Sequence, residues 1–173
     1  MLILVAALVY VPMLIEARRA ARNERDQRAR GGIEPAGDVY AAMRIVYPAL
    51  FLAMIGEAAI RGLPHRSVVL AGLLVFLAGK AIKWWAILTL GPSWTFRVIV
   101  VPGAPLVNRG PYRFLRHPNY AGVVLELAGV ALLAGAAISG PLSIVLFGVL
   151  LNRRVRVEQR ALASAARHPP CSL

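Results

Sequence analysis

The sequence predicts an all-α, polytopic integral membrane protein of about five transmembrane helices, and three observations predict it. Apolar residues make up 58% of the 173 positions, and mean hydropathy is +0.64, above the usual apolar share of a soluble domain. The charges, net +12, stand in short blocks between apolar runs, the arrangement of a multi-pass membrane protein and not of a nucleic-acid binder. The basic blocks also fall unevenly on alternate connections. At this length a single membrane-embedded domain, 1–173, accounts for the chain.

The first helix takes Met1 to Ile15, apolar and without a preceding positive charge. A span needs about 20 residues, so the helix extends to Ala17 or Arg18 with its arginines snorkelling. Arg18, Arg19, Arg22, Arg25, Arg28 and Arg30 follow it, the reverse of a signal peptide, whose positive charge comes first. The chain then continues as a polar helix that breaks at Gly31-Gly32 and Pro35-Ala36-Gly37, which makes 18–39 a cytoplasmic loop. Tyr40 to Ile60 is the second helix, with Glu57 near its far end in a structural or interfacial role. Arg61 to Arg66 is a turn, and Ser67 to Leu90 is the third helix, carrying Lys80 and Lys83 in its later half. Trp84, Trp85 and Trp94 read as membrane-interface anchors.

Gly91 to Arg116 is a polar loop punctuated by glycine and proline. Pro118 lacks an N–H and suits the first position of a helix, so the fourth helix starts at His117 to Asn119 and runs to Ala137. Ser139-Gly140-Pro141 turns the chain, and Leu142 to Leu151 begins the fifth helix, whose last turns carry Arg153, Arg154 and Arg156 out of the membrane into a C-terminal helix and tail, 152–173. Glu126, about two turns into the fourth helix, is an intramembrane carboxylate whose expected partner is Lys80 or Lys83, in a structural pair or in shaping a substrate cavity. Tyr10, Tyr40 and Tyr47 carry no functional signal.

Charge orients the chain. With 18–39, 91–118 and 152–173 on one side, that side holds fifteen of the arginines, from Arg18 to Arg167, and leaves Arg61 and Arg66 opposite. The positive-inside rule then places the N-terminus outside and both polar clusters toward the cytoplasm. Cys171 is the lone cysteine, which excludes an internal disulfide and a cysteine-based metal site. It stands third from the C-terminus, one place short of the prenylation pattern. No metal site is expected.

Two clusters carry chemistry. Gly110-Pro111-Tyr112-Arg113-Phe114-Leu115-Arg116-His117-Pro118-Asn119-Tyr120-Ala121-Gly122 sets cationic, imidazole and phenolic groups at a helix start, where exposed amides suit the carboxylate or ribose hydroxyls of an amphipathic ligand. Arg154 and Glu158 lie four apart and share a helix face, an arginine for an anionic group beside a carboxylate for hydroxyls or a cation. Alone, this pair reads more readily as part of a basic juxtamembrane helix that holds anionic lipid headgroups.

Together the clusters resemble the isoprenylcysteine carboxyl methyltransferase family of integral-membrane enzymes that use S-adenosyl-L-methionine. The resembling residues are Pro105-Leu106-Val107-Asn108-Arg109-Gly110-Pro111-Tyr112, then Arg116-His117-Pro118-Asn119-Tyr120-Ala121-Gly122, then Arg154-x-x-x-Glu158. The resemblance implies cofactor contacts at Ala104, Leu106, Val107, Tyr112, His117, Pro118, Asn119, Tyr120 and Glu158, in a cytoplasmic pocket formed by the loop before the fourth helix and by the C-terminal helix. It implies a substrate-anchoring, catalytic role for Arg154. Ala104 stands where eukaryotic members carry histidine, and Gln159 where many carry a second glutamate. Arg22-Asn23-Glu24, Gly31-Gly32-Ile33-Glu34 and Trp84-Trp85-Ala86-Ile87-x-x-Leu90-Gly91-x-x-Trp94 look like a bacterial branch that methylates hydroxyls of alkylpyrones and alkylresorcinols, which implies a functional link to a type III polyketide synthase.

The reading that results is an S-adenosylmethionine-dependent O-methyltransferase acting on a lipophilic acceptor, either the carboxylate of an isoprenylcysteine-like compound or the hydroxyl of a polyketide lipid. Its other partners are membrane lipids. Two alternatives compete: a phospholipid N-methyltransferase on the same helical plan, and a non-catalytic protein that binds anionic lipid.

Overall fold

The computed structural model describes residues 1–104 and 107–167, and the side chains of 162–167 are outside the description. Five α-helices make the fold: α1 Leu2–Ala29, α2 Tyr40–Arg61, α3 Arg66–Leu90, α4 Pro118–Ala134 and α5 Ser139–Arg167. Short 3-10 turns at Gly91–Ser93 and Gly110–Arg113 punctuate the loop between α3 and α4. The described residues hold no β-strand, only one antiparallel bridge from Ile33 to Val100. Two helical stretches, Tyr40–Arg61 and Arg66–Ser93, are long and apolar enough to cross a membrane, and α4 is apolar but shorter at 17 residues.

The α3–α4 pair is the centre of the packing. Glycines face each other along it: a Cβ at Gly72 would collide with the backbone of Leu133, and one at Gly129 with the backbone of Phe76. Gly79 and Gly122 repeat the contact further along, so the two backbones touch through a stripe of small residues, the means by which helices associate where no hydrophobic force separates lipid from protein. The core, with Phe51, Met54, Phe76, Leu127, Val130 and Phe147, lies around this pair.

That close approach lets charge be buried. Glu126 of α4 takes Lys80 at 3.2 Å and Lys83 at 3.4 Å, so the expected partners are both present. Glu16 of α1 completes the set, 2.9 Å from Lys80 and 2.7 Å from Lys83. Tyr47 of α2 donates its hydroxyl to Glu126 at 2.6 Å, although the sequence attached no role to it. Two cations face two carboxylates, and four helices are tied at one depth.

Three expectations need correction. Trp94 is not an interface anchor: it is 3% exposed, packed with Ala20 and Ile87 and set edge-on against Phe96, whereas Trp85 is half exposed as an anchor should be. α4 stops at Ala134 and not Ala137, because Gly135 takes the left-handed conformation that ends a helix. Ser139-Gly140-Pro141 is the first turn of α5 and not the turn before it. Glu57 explains this early start: its carboxylate accepts from the amides of Ile138 and Ser139 and from the Ser139 hydroxyl, satisfying donors at a helix N-terminus. Glu57 is therefore structural, as expected.

Candidate functional site

Pro118 opens α4 as its first residue, with His117 as the cap, so the predicted helix start holds. The ring fixes the backbone there and removes an amide that no residue would have satisfied. One turn of helix then aims Tyr120 at α5, where residues four apart present Arg154 and Glu158 together.

The Tyr120 hydroxyl is the meeting point. It donates to Glu158 Oε2 at 2.8 Å and accepts from Arg154 Nε at 3.0 Å. His117 stacks flat on the Tyr120 ring, 5.2 Å between centroids at 13°, and its Nδ1 stands 3.9 Å from Glu158 Oε2. The His117 and Glu158 side chains are 26% and 32% exposed, so the imidazole and carboxylate face outward while Arg154 lies buried beneath them.

Arg154 is held from a second direction. Its Nη1 donates to Asp38 Oδ1 at 3.2 Å. Asp38 in turn accepts from the Tyr40 amide at the start of α2 and from the Val98 amide in the long loop. One carboxylate thereby ties the α1–α2 connection, the α3–α4 loop and α5 to the guanidinium. Sequence reasoning missed Asp38, because an aspartate after Pro35-Ala36-Gly37 reads as turn chemistry.

Around this centre the loop is clamped by ion pairs. Arg97 reaches Glu34 at 2.6 Å and Glu24 at 3.1 Å, and Arg28 reaches both acids as well. Burial alone would raise the Glu34 carboxyl, but the hydrogen bonds from Arg97 and Arg28 outweigh it and hold the group below its ordinary value.

The predicted site residues fall into two groups. Tyr112, His117, Pro118, Asn119, Tyr120, Arg154 and Glu158 come from the 3-10 turn at Gly110–Arg113, the start of α4 and the α5 face that meets it. Burial, and then the Glu158 carboxylate, push the half-buried Tyr112 phenol well above its usual range. Ala104 lies in an exposed turn, its amide donating to Val101, and among the described residues no hydrogen bond or ion pair joins Ala104 or Val107 to the cluster. Leu106 lies outside the described residues, as does Cys171.

The residues fit a cationic, hydroxyl-bearing cofactor on one further observation. Asn119 Oδ1 is buried with no hydrogen-bond partner among the described residues, an acceptor left open at the α4 start; Glu16 Oε2 and Glu126 Oε1, inside the lysine–carboxylate cluster, are also without one. Buried polar atoms are otherwise paired almost without exception, and a ligand N–H or O–H at the α4 start would satisfy Asn119 Oδ1. No group of three or more histidine, cysteine or acidic side chains suited to a metal occurs among the described residues.

Comparison with known proteins follows the same stretch of chain. Residues 70–164, more than half of the sequence, match the profile of the isoprenylcysteine carboxyl methyltransferase family. A Bacillus subtilis protein described only as uncharacterized, YpbQ, is 33% identical over 159 residues, which is 92% of this chain and 95% of that one. An uncharacterized Haemophilus influenzae protein is 24% identical over 143 residues, 82% and 83% of the two chains. The protein-S-isoprenylcysteine O-methyltransferase A of Arabidopsis thaliana is 32% identical over 84 residues, 47% of this chain and 41% of the plant enzyme. No solved structure matches.

Proposed function

The chain belongs to the isoprenylcysteine carboxyl methyltransferase family, and from that premise we propose that it is a membrane O-methyltransferase that uses S-adenosyl-L-methionine on a lipophilic acceptor. The observation that carries this reading is the convergence on the Tyr120 hydroxyl, where one oxygen joins the α4 start to Arg154 and Glu158 of α5. Two stretches more than thirty residues apart, matched by the family profile, meet in a single polar cluster.

S-adenosylmethionine, when bound, supplies an electrophilic methyl group on a positively charged sulfur. Glu158 supplies negative charge and an acceptor for ribose hydroxyls, and Asn119 Oδ1 accepts a further hydrogen bond. Tyr112, His117, Pro118 and Tyr120 would line the cofactor, with Ala104 and Val107 contributing from the loop before α4; Leu106, expected with them, lies outside the described residues. Arg154 anchors the acceptor oxygen. Its Nε is taken by Tyr120 and its Nη1 by Asp38, so Nη2, without a protein partner among the described residues, is left for an anionic oxygen.

The acceptor loses its negative charge as the new O–CH3 bond forms, so a carboxylate needs no general base. A phenol or enol must first lose a proton, to His117 or to Glu158 in this reading, while Arg154 stabilises the resulting oxyanion. The rate comes from alignment and from exclusion of water. In the membrane the N-terminus lies outside and the cluster faces the cytoplasm, consistent with the arginine distribution, so a soluble cofactor and a lipid-borne acceptor meet at the interface. Between acceptors, the preference for a polyketide lipid rests on the Arg22-Asn23-Glu24, Gly31–Glu34 and Trp84–Trp94 segments alone; the relatives with a named activity act on isoprenylcysteine.

The test is methyl transfer by the purified protein from isotopically labelled S-adenosylmethionine, with mass spectrometry of the products. Label in an alkylpyrone or alkylresorcinol ether supports the reading as a whole, and label in an isoprenylcysteine ester supports the activity with the other acceptor. Label in a phospholipid amine, or none in any lipid while the protein is folded, contradicts it.

A further inference from the structure

A recess lined by none of the Tyr120 cluster residues lies where the arginine-bearing stretch of α1 passes the end of α3. Its volume is about 540 Å3, and Ile15, Arg18, Arg19, Arg22, Trp84 and Pro92 are among its lining residues. Positions 15, 18, 19 and 22 share one helix face, so three guanidinium groups converge on the opening with one apolar side chain on the membrane side. The far wall is preformed: Asn23 donates to the carbonyls of Gly91 and Trp94, and Gln27 to that of Pro92, bracing the turn after α3 against α1.

What sets these arginines apart is that they line a recess, since Arg25, Arg30 and Arg109 also make no ion pair among the described residues but lie outside it. Arg28 and Arg97 share Glu24 and Glu34, and Arg154 has Asp38, whereas Arg18, Arg19 and Arg22 make no ion pair among the described residues. Glu16, the acid nearest them in sequence, turns inward to Lys80 and Lys83 and is 1% exposed. The recess therefore keeps positive charge that the protein itself does not neutralise. Below it, toward the apolar half of α1, Ile15, Leu14 and Val11 are exposed, and Leu88 is exposed on α3.

From this juxtaposition we infer that the recess is a binding site for the phosphate headgroup of an anionic membrane phospholipid, whose acyl chains lie along the exposed apolar sides of α1 and α3. Guanidinium groups match phosphate oxygens with paired N–H donors. The half-buried Trp84 indole sits at the level where aromatic rings line a bilayer boundary, and the apolar surface beneath selects a ligand that carries its own chains over free phosphate. The bound lipid clasps α1 to the loop that leads to the α4 start.

The test is native mass spectrometry of the full chain released from nanodiscs containing phosphatidylglycerol and phosphatidylcholine. R18Q/R19Q/R22Q is compared with R25Q/R30Q/R109Q, which removes the same charge from exposed positions outside the recess, and circular dichroism confirms folding. The expected result is phosphatidylglycerol retained by the wild type and the control, with at least tenfold less on R18Q/R19Q/R22Q and no displacement by millimolar inorganic phosphate. Quenching of tryptophan fluorescence by brominated phosphatidylglycerol should fall on Trp84→Phe and stay on Trp85→Phe. Equal loss in both triple variants would reduce the effect to overall charge and overturn the site. Equal retention of both lipids, or displacement by phosphate, would overturn it as well. None of these outcomes depends on methyl transfer.

Discussion

α4 carries two polar clusters six residues apart, about 9 Å along the helix at 1.5 Å per residue, and they are built in opposite ways. Around Glu126 two carboxylates meet two ammonium groups, and Glu16, Lys83 and Glu126 are all but sealed. Around Tyr120 the guanidinium is buried and doubly held, while Glu158 and His117 are each about a third exposed and Asn119 keeps an open acceptor. Balanced charge without access holds helices together. Charge with one side open is a place for a ligand, so exposure separates structure from function on a single helix, since both clusters hold a buried acceptor without a hydrogen-bond partner.

The largest expected effect breaks the sealed cluster. Glu126→Ala leaves two lysines with one carboxylate, and removing one member of a buried ion pair costs about 3–5 kcal/mol. The variant should lose most of its folded yield by size-exclusion chromatography in detergent. The double variant Glu126→Met with Lys83→Met should recover much of it, since matched apolar replacement of a buried pair is often neutral. Recovery would show that the cluster contributes balance and no chemistry.

Next in size is the contact that brings the lysines to Glu126. Gly129→Leu forces a side chain into the Phe76 backbone and should cost about 1–3 kcal/mol, the usual range for overpacking, seen as a lower thermal midpoint. Gly56→Leu, where a Cβ meets open space, should shift that midpoint far less.

At the open cluster the same kinds of change should damage function as well as stability, since the Arg154–Asp38 pair is itself buried. Asp38→Asn keeps one oxygen, enough for the Tyr40 amide or the Val98 amide but not both, and removes the charge opposite Arg154. Turnover should fall about tenfold, equivalent to about 1.4 kcal/mol, with cofactor affinity nearly unchanged. If affinity fell in step with turnover, Asp38 would belong to the cofactor site and not to the positioning of Arg154.

The smallest effect is on pH. Glu34 has a folded value below the unfolded one, so its contribution is complete above about pH 4.3 and is lost as the pH falls through the lower, folded value. Amide exchange at the Ile33–Val100 bridge should rise as the solution is acidified across that interval, and Arg97→Gln should flatten the step. A step of the same size in Arg97→Gln would assign it to another carboxylate.

Legibility in the sequence followed the range over which each signal acts. Pro118 marks a helix start through its own ring, and Arg154 and Glu158 share a face by spacing alone, so both parts of the open cluster could be read locally. Their meeting could not, and it came from the family resemblance. Glu16 and Asp38 escaped because their partners lie 64 to 116 residues away and each has a local explanation, Glu16 as an acid beside arginines and Asp38 as a turn residue. Counting charge would have found Glu16, since two lysines within apolar α3 need two carboxylates and α4 offers one. Trp94 was misread because composition places tryptophan at an interface without saying which side of the helix layer it faces.

The most direct measurement on the central claim is calorimetric titration of the detergent-purified protein with S-adenosylhomocysteine, for the wild type, Glu158→Gln and Arg154→Gln. Binding by the wild type, at least tenfold weaker binding by Glu158→Gln, and near-normal binding by Arg154→Gln with methyl transfer abolished is the predicted pattern. A folded wild type that binds no cofactor, or variants indistinguishable from it in binding and turnover, would contradict the assignment of the Tyr120 cluster as the site of methyl transfer.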